Sequence, residues 1–346
     1  VYFPEAPQNM AFKLDYSGPN VQVHFVLPTV LGYNDNLGSG AWSQQNTWLG
    51  EIPDTGSDVT ITNSTTIPQQ LNIDINAFAH AVTISGNTEA MTVVLPEGVH
   101  LSSTHQTRIE NQGILSVEGG TLHNGGDLVI DGVQLAQLSQ TGGAVNVGGN
   151  LKLAESGGRG IYDLNGGTLD LKGGAIEFGP GTALFNFNGG RLANADTITS
   201  SLIQNGGVLA PGNSPGTTTI EGDYTINDGT LEIELGGLDP GESDKVEVTG
   251  SANLSGPLDV SMIESDSLLT GETIEILSAG EAVYGEFDTL TTDGSLIVPL
   301  YSTQAVSLCV SPLGDLDVDC DVDLDDVDDF APVSYTHLPL PTSDLV

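Results

Sequence analysis

The sequence predicts an all-β protein built as a parallel β-helix, because glycine pairs recur at a regular spacing and the residues between them alternate in polarity. The separations between successive pairs alternate between 6 or 7 and 16 to 18 residues. The pairs begin at Gly119, Gly125, Gly142, Gly148, Gly166, Gly173, Gly189 and Gly206. Equivalent pairs therefore recur about every 23 residues, which is typical of one coil of a solenoid.

Each coil is predicted to be a corner-strand-corner-strand unit. Thr168-Leu169-Asp170-Leu171 and the run Thr230–Leu235 alternate every second residue, which indicates strands with one buried face. Asn165, Asn188 and Asn205 precede three of the glycine pairs, and Asn-Gly-Gly accommodates the positive φ angles of tight corners. One coil cannot bury its inner face alone, so we expect the coils to stack at the ~4.8 Å strand spacing.

The chain divides into five segments by composition. We expect an N-terminal cap or the tail of a preceding module, then the β-helix, then a β-rich region that continues or caps it, then a short calcium-loop segment and a non-native tail. The boundaries are 1–40, 41–228, 229–311, 312–331 and 332–346. Trp42 and Trp48 have two interpretations, a platform for sugar rings or an apolar cap on the open end of the core. The cap is favoured because an uncovered end exposes strand edges and leucines.

Charge and hydropathy exclude several classes of partner. The chain has 46 Asp and Glu against 7 Lys and Arg, a formal charge of −39. Nucleic-acid binding needs a basic face, and an anionic membrane surface would repel this chain. No apolar run reaches 18 residues, so we expect no membrane insertion by this fragment. No signal peptide is visible at Val1, and the sequence is interpreted as a fragment.

Several stretches resemble the autotransporter-associated β-strand repeats of large bacterial surface proteins. The most similar is Val208-Leu-Ala-Pro-Gly-Asn-Ser-Pro-Gly-Thr217, followed by 220–225, 229–235, 244–250 and 271–277. With the coils, the resemblance covers roughly residues 42–311. It implies a passenger-like, right-handed β-helix that is extracellular or on the cell surface. No translocator barrel follows in this sequence, so the resemblance does not imply self-secretion.

A second resemblance, over Gly314–Phe330, is to a dockerin-type EF-hand calcium loop. Carboxylates fall at loop positions 1, 3, 5, 9 and 12, and position 7 contributes its backbone carbonyl, as Ca²⁺ coordination requires. The implied Ca²⁺ ligands are Asp315, Asp317, Asp319, Asp321, Asp323 and Asp326. The pattern departs from the family at Cys320, where position 6 is usually Gly, and at Asp326, where position 12 is usually Glu. Residues 333–342 resemble a translated sequencing adapter, and we exclude the tail from functional reasoning.

Other candidate chemistry has a simpler structural interpretation. Arg191 and Lys172 adjoin glycine corners and are expected in solvent, as are Glu232 and Glu234 on the polar face of their strand. His100 and His105 lack a third metal ligand at a suitable spacing and are expected at the surface. The segment Gly157-Gly-Arg-Gly160 departs from the calcium-binding nonapeptide and is predicted to be an inserted loop.

The sequence leaves two functions open. The favoured one is a non-catalytic extracellular β-solenoid, adhesin-like or structural, with a calcium-dependent attachment or sorting tail. Its partner would be a surface polysaccharide or a cohesin-like sorting partner. The alternative is a β-helical polysaccharide lyase or glycoside hydrolase, which needs at least three ionisable groups in one groove. Cys309 and Cys320 either pair with each other, or Cys320 pairs with a residue beyond this sequence.

Overall fold

The protein is a parallel β-solenoid of about nine turns with a spacing of about 23 residues, as the glycine pairs predict. The computed structural model describes residues 11–15, 22–26, 29–34, 39–212, 215–239, 241–263, 271–293, 297–311, 320 and 322. Over those ranges it contains no α-helix, and a single 3-10 turn spans Gln45–Thr47. The described strands form three long sheets and one separate hairpin.

The first long sheet, sheet 1, has eleven described strands. They are β4 (Gly40–Ala41), β7 (Gln69–Asn72), β10 (Met91–Leu95), β13 (Gly113–Val117), β16 (Ala136–Gln140), β19 (Arg159–Leu164), β22 (Thr182–Phe187), β25 (Leu202–Gln204), β28 (Tyr224–Ile226), β31 (Ala252–Leu254) and β34 (Val283–Gly285). All the neighbouring pairs run parallel.

Sheet 2 has ten described strands, each following the sheet 1 strand of its own coil. They are β8 (Ala77–Ala79), β11 (His100–Ser103), β14 (Thr121–Asn124), β17 (Ala144–Val147), β20 (Thr168–Asp170), β23 (Arg191–Ala193), β26 (Val208–Ala210), β29 (Thr230–Leu235), β32 (Pro257–Met262) and β35 (Thr289–Thr292).

Sheet 3 has fourteen described strands and continues past both ends of the other two sheets. In spatial order they are β5 (Trp48–Leu49), β3 (Thr29–Tyr33), β6 (Ser57–Asn63), β9 (Ala81–Gly86), β12 (Thr107–Glu110), β15 (Leu128–Ile130), β18 (Leu151–Leu153), β21 (Ile176–Phe178), β24 (Thr197–Ile198), β27 (Thr217–Ile220), β30 (Lys245–Val248), β33 (Thr273–Ala279), β37 (Ala305–Val310) and β36 (Ile297–Tyr301). Its last strands, β33, β37 and β36, pair antiparallel. The separate hairpin pairs β1 (Ala11–Asp15) with β2 (Gln22–Val26).

A coil has three strands, one in each sheet, where the sequence predicted two. The glycine pairs mark two of the three corners. The pairs that begin at Gly142 and Gly166 join sheet 1 to sheet 2, and those at Gly148 and Gly173 join sheet 2 to sheet 3. The corner from sheet 3 back to sheet 1 carries no regular pair, so the alternation of 6 and 17 residues hid one strand of each coil.

The positive φ angles lie on the second glycine of a pair rather than on both. Gly167 has a φ of 74° and Gly190 a φ of 69°. Gly166 and Gly189 have ordinary φ angles, but a side chain there would collide with the backbone of Thr141 or Asn165 on the preceding coil. Close stacking of corners therefore requires the first glycine, and backbone conformation requires the second.

The core is a stack of aliphatic side chains, with aromatic residues at one end. In sheet 2 the register aligns a single buried column made of Leu101, Leu122, Val145, Leu169, Leu192, Leu209, Leu231 and Leu258. Trp42 and Trp48 are 1% and 4% exposed, and their ring centroids lie 4.7 Å apart. Buried indoles cannot stack on a sugar, so the cap interpretation holds.

Candidate functional site

The six carboxylates of the predicted calcium loop, Asp315 to Asp326, lie outside the described residues. Within that segment the structure describes Cys320 and Val322. A disulfide joins Cys320 to Cys309 on β37, with Cα atoms 6.2 Å apart. The disulfide fixes the start of the segment to the end of the solenoid.

The largest described cleft lies along the corners that lead from sheet 3 to sheet 1. Its volume is about 580 Å³, within the range of small-ligand sites. Three successive corners form it, at residues 131–135, 154–158 and 179–181. The cleft contains two of the three arginines of this acidic chain, Arg108 and Arg159. Sequence reasoning missed it because its lining comes from four coils.

Arg108 is held by carboxylates on three coils. Its Nε donates to Glu110 at 3.0 Å, and its two terminal nitrogens lie 3.6 Å from Asp131 and 3.9 Å from Glu155. Asp131 is buried, and its two oxygens accept the backbone N–H groups of Ser156 at 2.8 Å and of Gly158 at 3.1 Å. This network keeps the corners in place and occupies both Asp131 oxygens.

Arg159 differs because its guanidinium has no carboxylate partner among the described residues. Its backbone N–H donates to Gly132 at 2.7 Å, and its side chain is exposed. The adjoining Gly157 has a φ of 89° with open space beside it. The predicted loop is thus the corner that brings Arg159 into the cleft.

A second charged cluster overturns the prediction that Arg191 and Glu232 are solvated singly. Arg191 on β23 makes two hydrogen bonds, of 2.5 and 2.6 Å, to the two oxygens of Glu232 on β29, two coils away. The Arg191 guanidinium lowers the pKa of Glu232. Beside this pair, burial raises the pKa of Asp244 from its usual 3.8 to about 6, although two backbone N–H groups oppose the rise.

Each described lysine side chain is paired with carboxylates close to it on the surface. Lys152 lies 2.9 Å from Asp127 on the preceding coil. Lys245 lies 3.1 Å from Glu275 on the following coil. Lys172, predicted to be solvated, is 2.9 Å from Asp170 on its own coil. Cations therefore connect or neutralise neighbouring carboxylates along the stack.

Four histidines form two pairs across adjacent coils, where the sequence suggested His100 with His105. His80 and His105 stack with ring centroids 5.4 Å apart and planes at 9°. His100 and His123 lie 5.7 Å apart with planes at 45°. The described residues hold no cluster of three or more His, Cys, Asp or Glu side chains suited to a metal ion.

No protein-family model matches the chain, and a search of curated proteins finds no match. Within the described part of the chain, no helix has the length and apolar character to span a membrane. The function is therefore argued from the geometry.

Proposed function

We propose that this chain is a non-catalytic extracellular β-solenoid, structural or adhesin-like, that presents its outer faces at a cell surface. The supporting observation is the use of its few cations. Five of the seven basic residues, Arg108, Lys152, Lys172, Arg191 and Lys245, form ion pairs with described carboxylates, four of them between coils. These groups stabilise a long acidic stack, and their donors are already engaged.

Carboxylates contribute to the same end by accepting backbone N–H groups of the adjacent coil. Asp127 accepts from Asn150 at 2.9 Å, and Asp223 accepts from Ser251 at 2.8 Å. Hydrogen bonding favours the ionised carboxylate, which allows an acidic chain to stack closely. The disulfide Cys309–Cys320 supports an extracellular location, because disulfides persist in oxidising compartments.

The calcium loop is part of this proposal as an attachment or sorting tail for a cohesin-like partner. Cys320 occupies loop position 6, where the turn requires the left-handed conformation of a glycine. Cys320 has a φ of 80°, within that region. The backbone at the substituted position thus has the conformation that a calcium loop needs, which favours Ca²⁺ as the ligand of the six aspartates.

The test of an adhesin-like function is binding without turnover. The purified chain is incubated with a panel of immobilised surface polysaccharides, with and without Ca²⁺, and bound protein is measured. Retention on one polysaccharide with no change in its chain length supports the proposal. The appearance of unsaturated products or new reducing ends would overturn it.

A carbohydrate-active enzyme remains the second candidate, and the cleft favours it. Four ionisable groups, Arg108, Glu110, Asp131 and Arg159, line one groove. Arg108 and Asp131 are engaged with each other and with neighbours, so Arg159 and Glu110 are the groups left to act on a substrate. Loss of any detected cleavage in Arg159→Ala but not in Arg191→Ala would locate an active site here.

A further inference from the structure

His100 and His123 lie on the outer face of sheet 2, on adjacent coils. In the register of β11 and β14, His123 is opposite Ser102, so the two imidazoles are diagonal neighbours on the same face. Both residues are exposed. Two imidazoles bound to one tetrahedral Zn²⁺, at about 2.0–2.1 Å from the metal, have ring centroids about 5–6 Å apart. The observed separation of 5.7 Å and tilt of 45° meet that requirement.

The surroundings leave ring nitrogens and space for a metal ion. Nδ1 of His123 faces Asn146 at 3.5 Å, which leaves Nε2 of that ring for a ligand. His123 also lines a surface depression of about 260 Å³, where water can complete the coordination. Lys172 lines the same depression, but Asp170 offsets its charge at 2.9 Å.

We propose that His100 and His123 together bind a borderline divalent transition-metal ion, represented by Zn²⁺, with water in the remaining positions. Imidazole is a preferred ligand of zinc, copper and nickel, and a poor one for Ca²⁺ and Mg²⁺. Binding requires neutral rings. Burial, His100 and Lys172 all lower the pKa of His123, which keeps its ring neutral at neutral pH. The strong negative charge of the chain attracts cations to the site.

The second histidine pair is a built-in control. The planes of His80 and His105 are within 9° of parallel, so their in-plane lone pairs cannot converge on one ion. Nδ1 of His80 is also engaged with Asp58 at 2.7 Å. Two histidine pairs with almost the same separation therefore have different metal-binding capacity, and only the tilted pair is expected to chelate.

The test is a calorimetric titration of the full chain with Zn²⁺, in millimolar Ca²⁺ to occupy carboxylate sites and without an affinity tag. Parent and His105→Gln are expected to bind one zinc ion with the same affinity, while His100→Gln and His123→Gln weaken it at least about tenfold. Equal binding by all variants, equal loss in His105→Gln, or no zinc binding by the parent would overturn the proposal. Selective broadening of the His100 and His123 imidazole resonances by Ni²⁺ gives a second readout.

Discussion

The hydroxyl group of Tyr162 donates a 2.6 Å hydrogen bond to Oε1 of Gln140, a residue of the preceding coil. Both side chains are fully buried, and Nε2 of Gln140 donates to the carbonyl of Thr168 at 3.0 Å. The same arrangement recurs between Tyr224 and Gln204, with an oxygen–oxygen distance of 2.7 Å. In both cases a buried glutamine closes the corner from sheet 1 to sheet 2, and a tyrosine of the next coil satisfies it.

The first prediction concerns this buried pair. Tyr162→Phe removes the donor and leaves Oε1 of Gln140 buried without it, so we expect the free energy of unfolding to fall by about 1–3 kcal/mol. Chemical denaturation measures it. Tyr284→Phe, at a side chain that is 58% exposed, is the matched control and should change stability by less than about 0.5 kcal/mol. Equal stability of both variants would mean that Gln140 finds another donor.

The second prediction concerns Glu232 and reverses the expectation from the sequence. Glu232→Gln breaks a bidentate pair with Arg191, and we expect a loss of about 1 kcal/mol, because the pair is partly exposed. Arg191 lowers the pKa of Glu232, so the stabilisation is present above the unfolded pKa near 4 and is lost as pH falls through the lower folded pKa. Urea unfolding of the variant and of Glu221→Gln, an exposed control, at pH 7 and pH 3 checks this. A difference that persists at pH 3 would contradict the mechanism.

The third prediction is a pH dependence from Asp244. Because its folded pKa is raised from 3.8 to about 6, the folded state binds this proton more tightly than the unfolded chain. Stability contributed by the protonated form is complete below about pH 4 and is lost as pH rises to about 6, by about 3 kcal/mol. Asp244→Asn removes this dependence. We therefore expect the parent to lose stability relative to the variant between pH 4 and 7, and a constant difference would contradict it.

The fourth prediction separates the two roles of corner glycines. Gly157 has a φ of 89° and open space around it, so Gly157→Ala is expected to cost about 1–2 kcal/mol, from backbone strain alone. At Gly167, with a φ of 74°, a side chain would also meet the backbone of Gly142 and Gly143. We expect Gly167→Ala to cost about 1–3 kcal/mol more. Thermal unfolding of the two variants decides, and similar losses would mean that coil spacing relaxes readily.

The fifth prediction concerns calcium. Five carboxylates and a backbone carbonyl around one site should bind Ca²⁺ weakly, with a dissociation constant of about 10⁻⁴ M or poorer, because Asp326 is shorter than the usual Glu. Calorimetric titration of the full chain should show a saturable event that Asp315→Ala/Asp326→Ala removes. The same event in the double variant, or none up to ~10 mM, would show that the segment is not a calcium loop.

The sequence by itself determined the fold class and the length of a coil. Both follow from local chemistry, because a turn with positive φ needs glycine and a strand with one buried face needs alternation, and both recur with the coil. The positions of Trp42 and Trp48 ahead of the regular repeats indicated a cap for the same reason. The third corner left no such mark, because the chain turns there without a regular glycine pair.

Only the tertiary structure decided which side chains meet across coils. Arg191 and Glu232 are 41 residues apart, a distance that combines one short coil with a longer one, so a constant period of 23 does not bring them together. His100 pairs with His123 rather than with the nearer His105, because register between strands outweighs closeness in sequence. Contacts between coils depend on the length of every intervening corner, and small differences in those lengths shift the register in ways that a repeat pattern does not record.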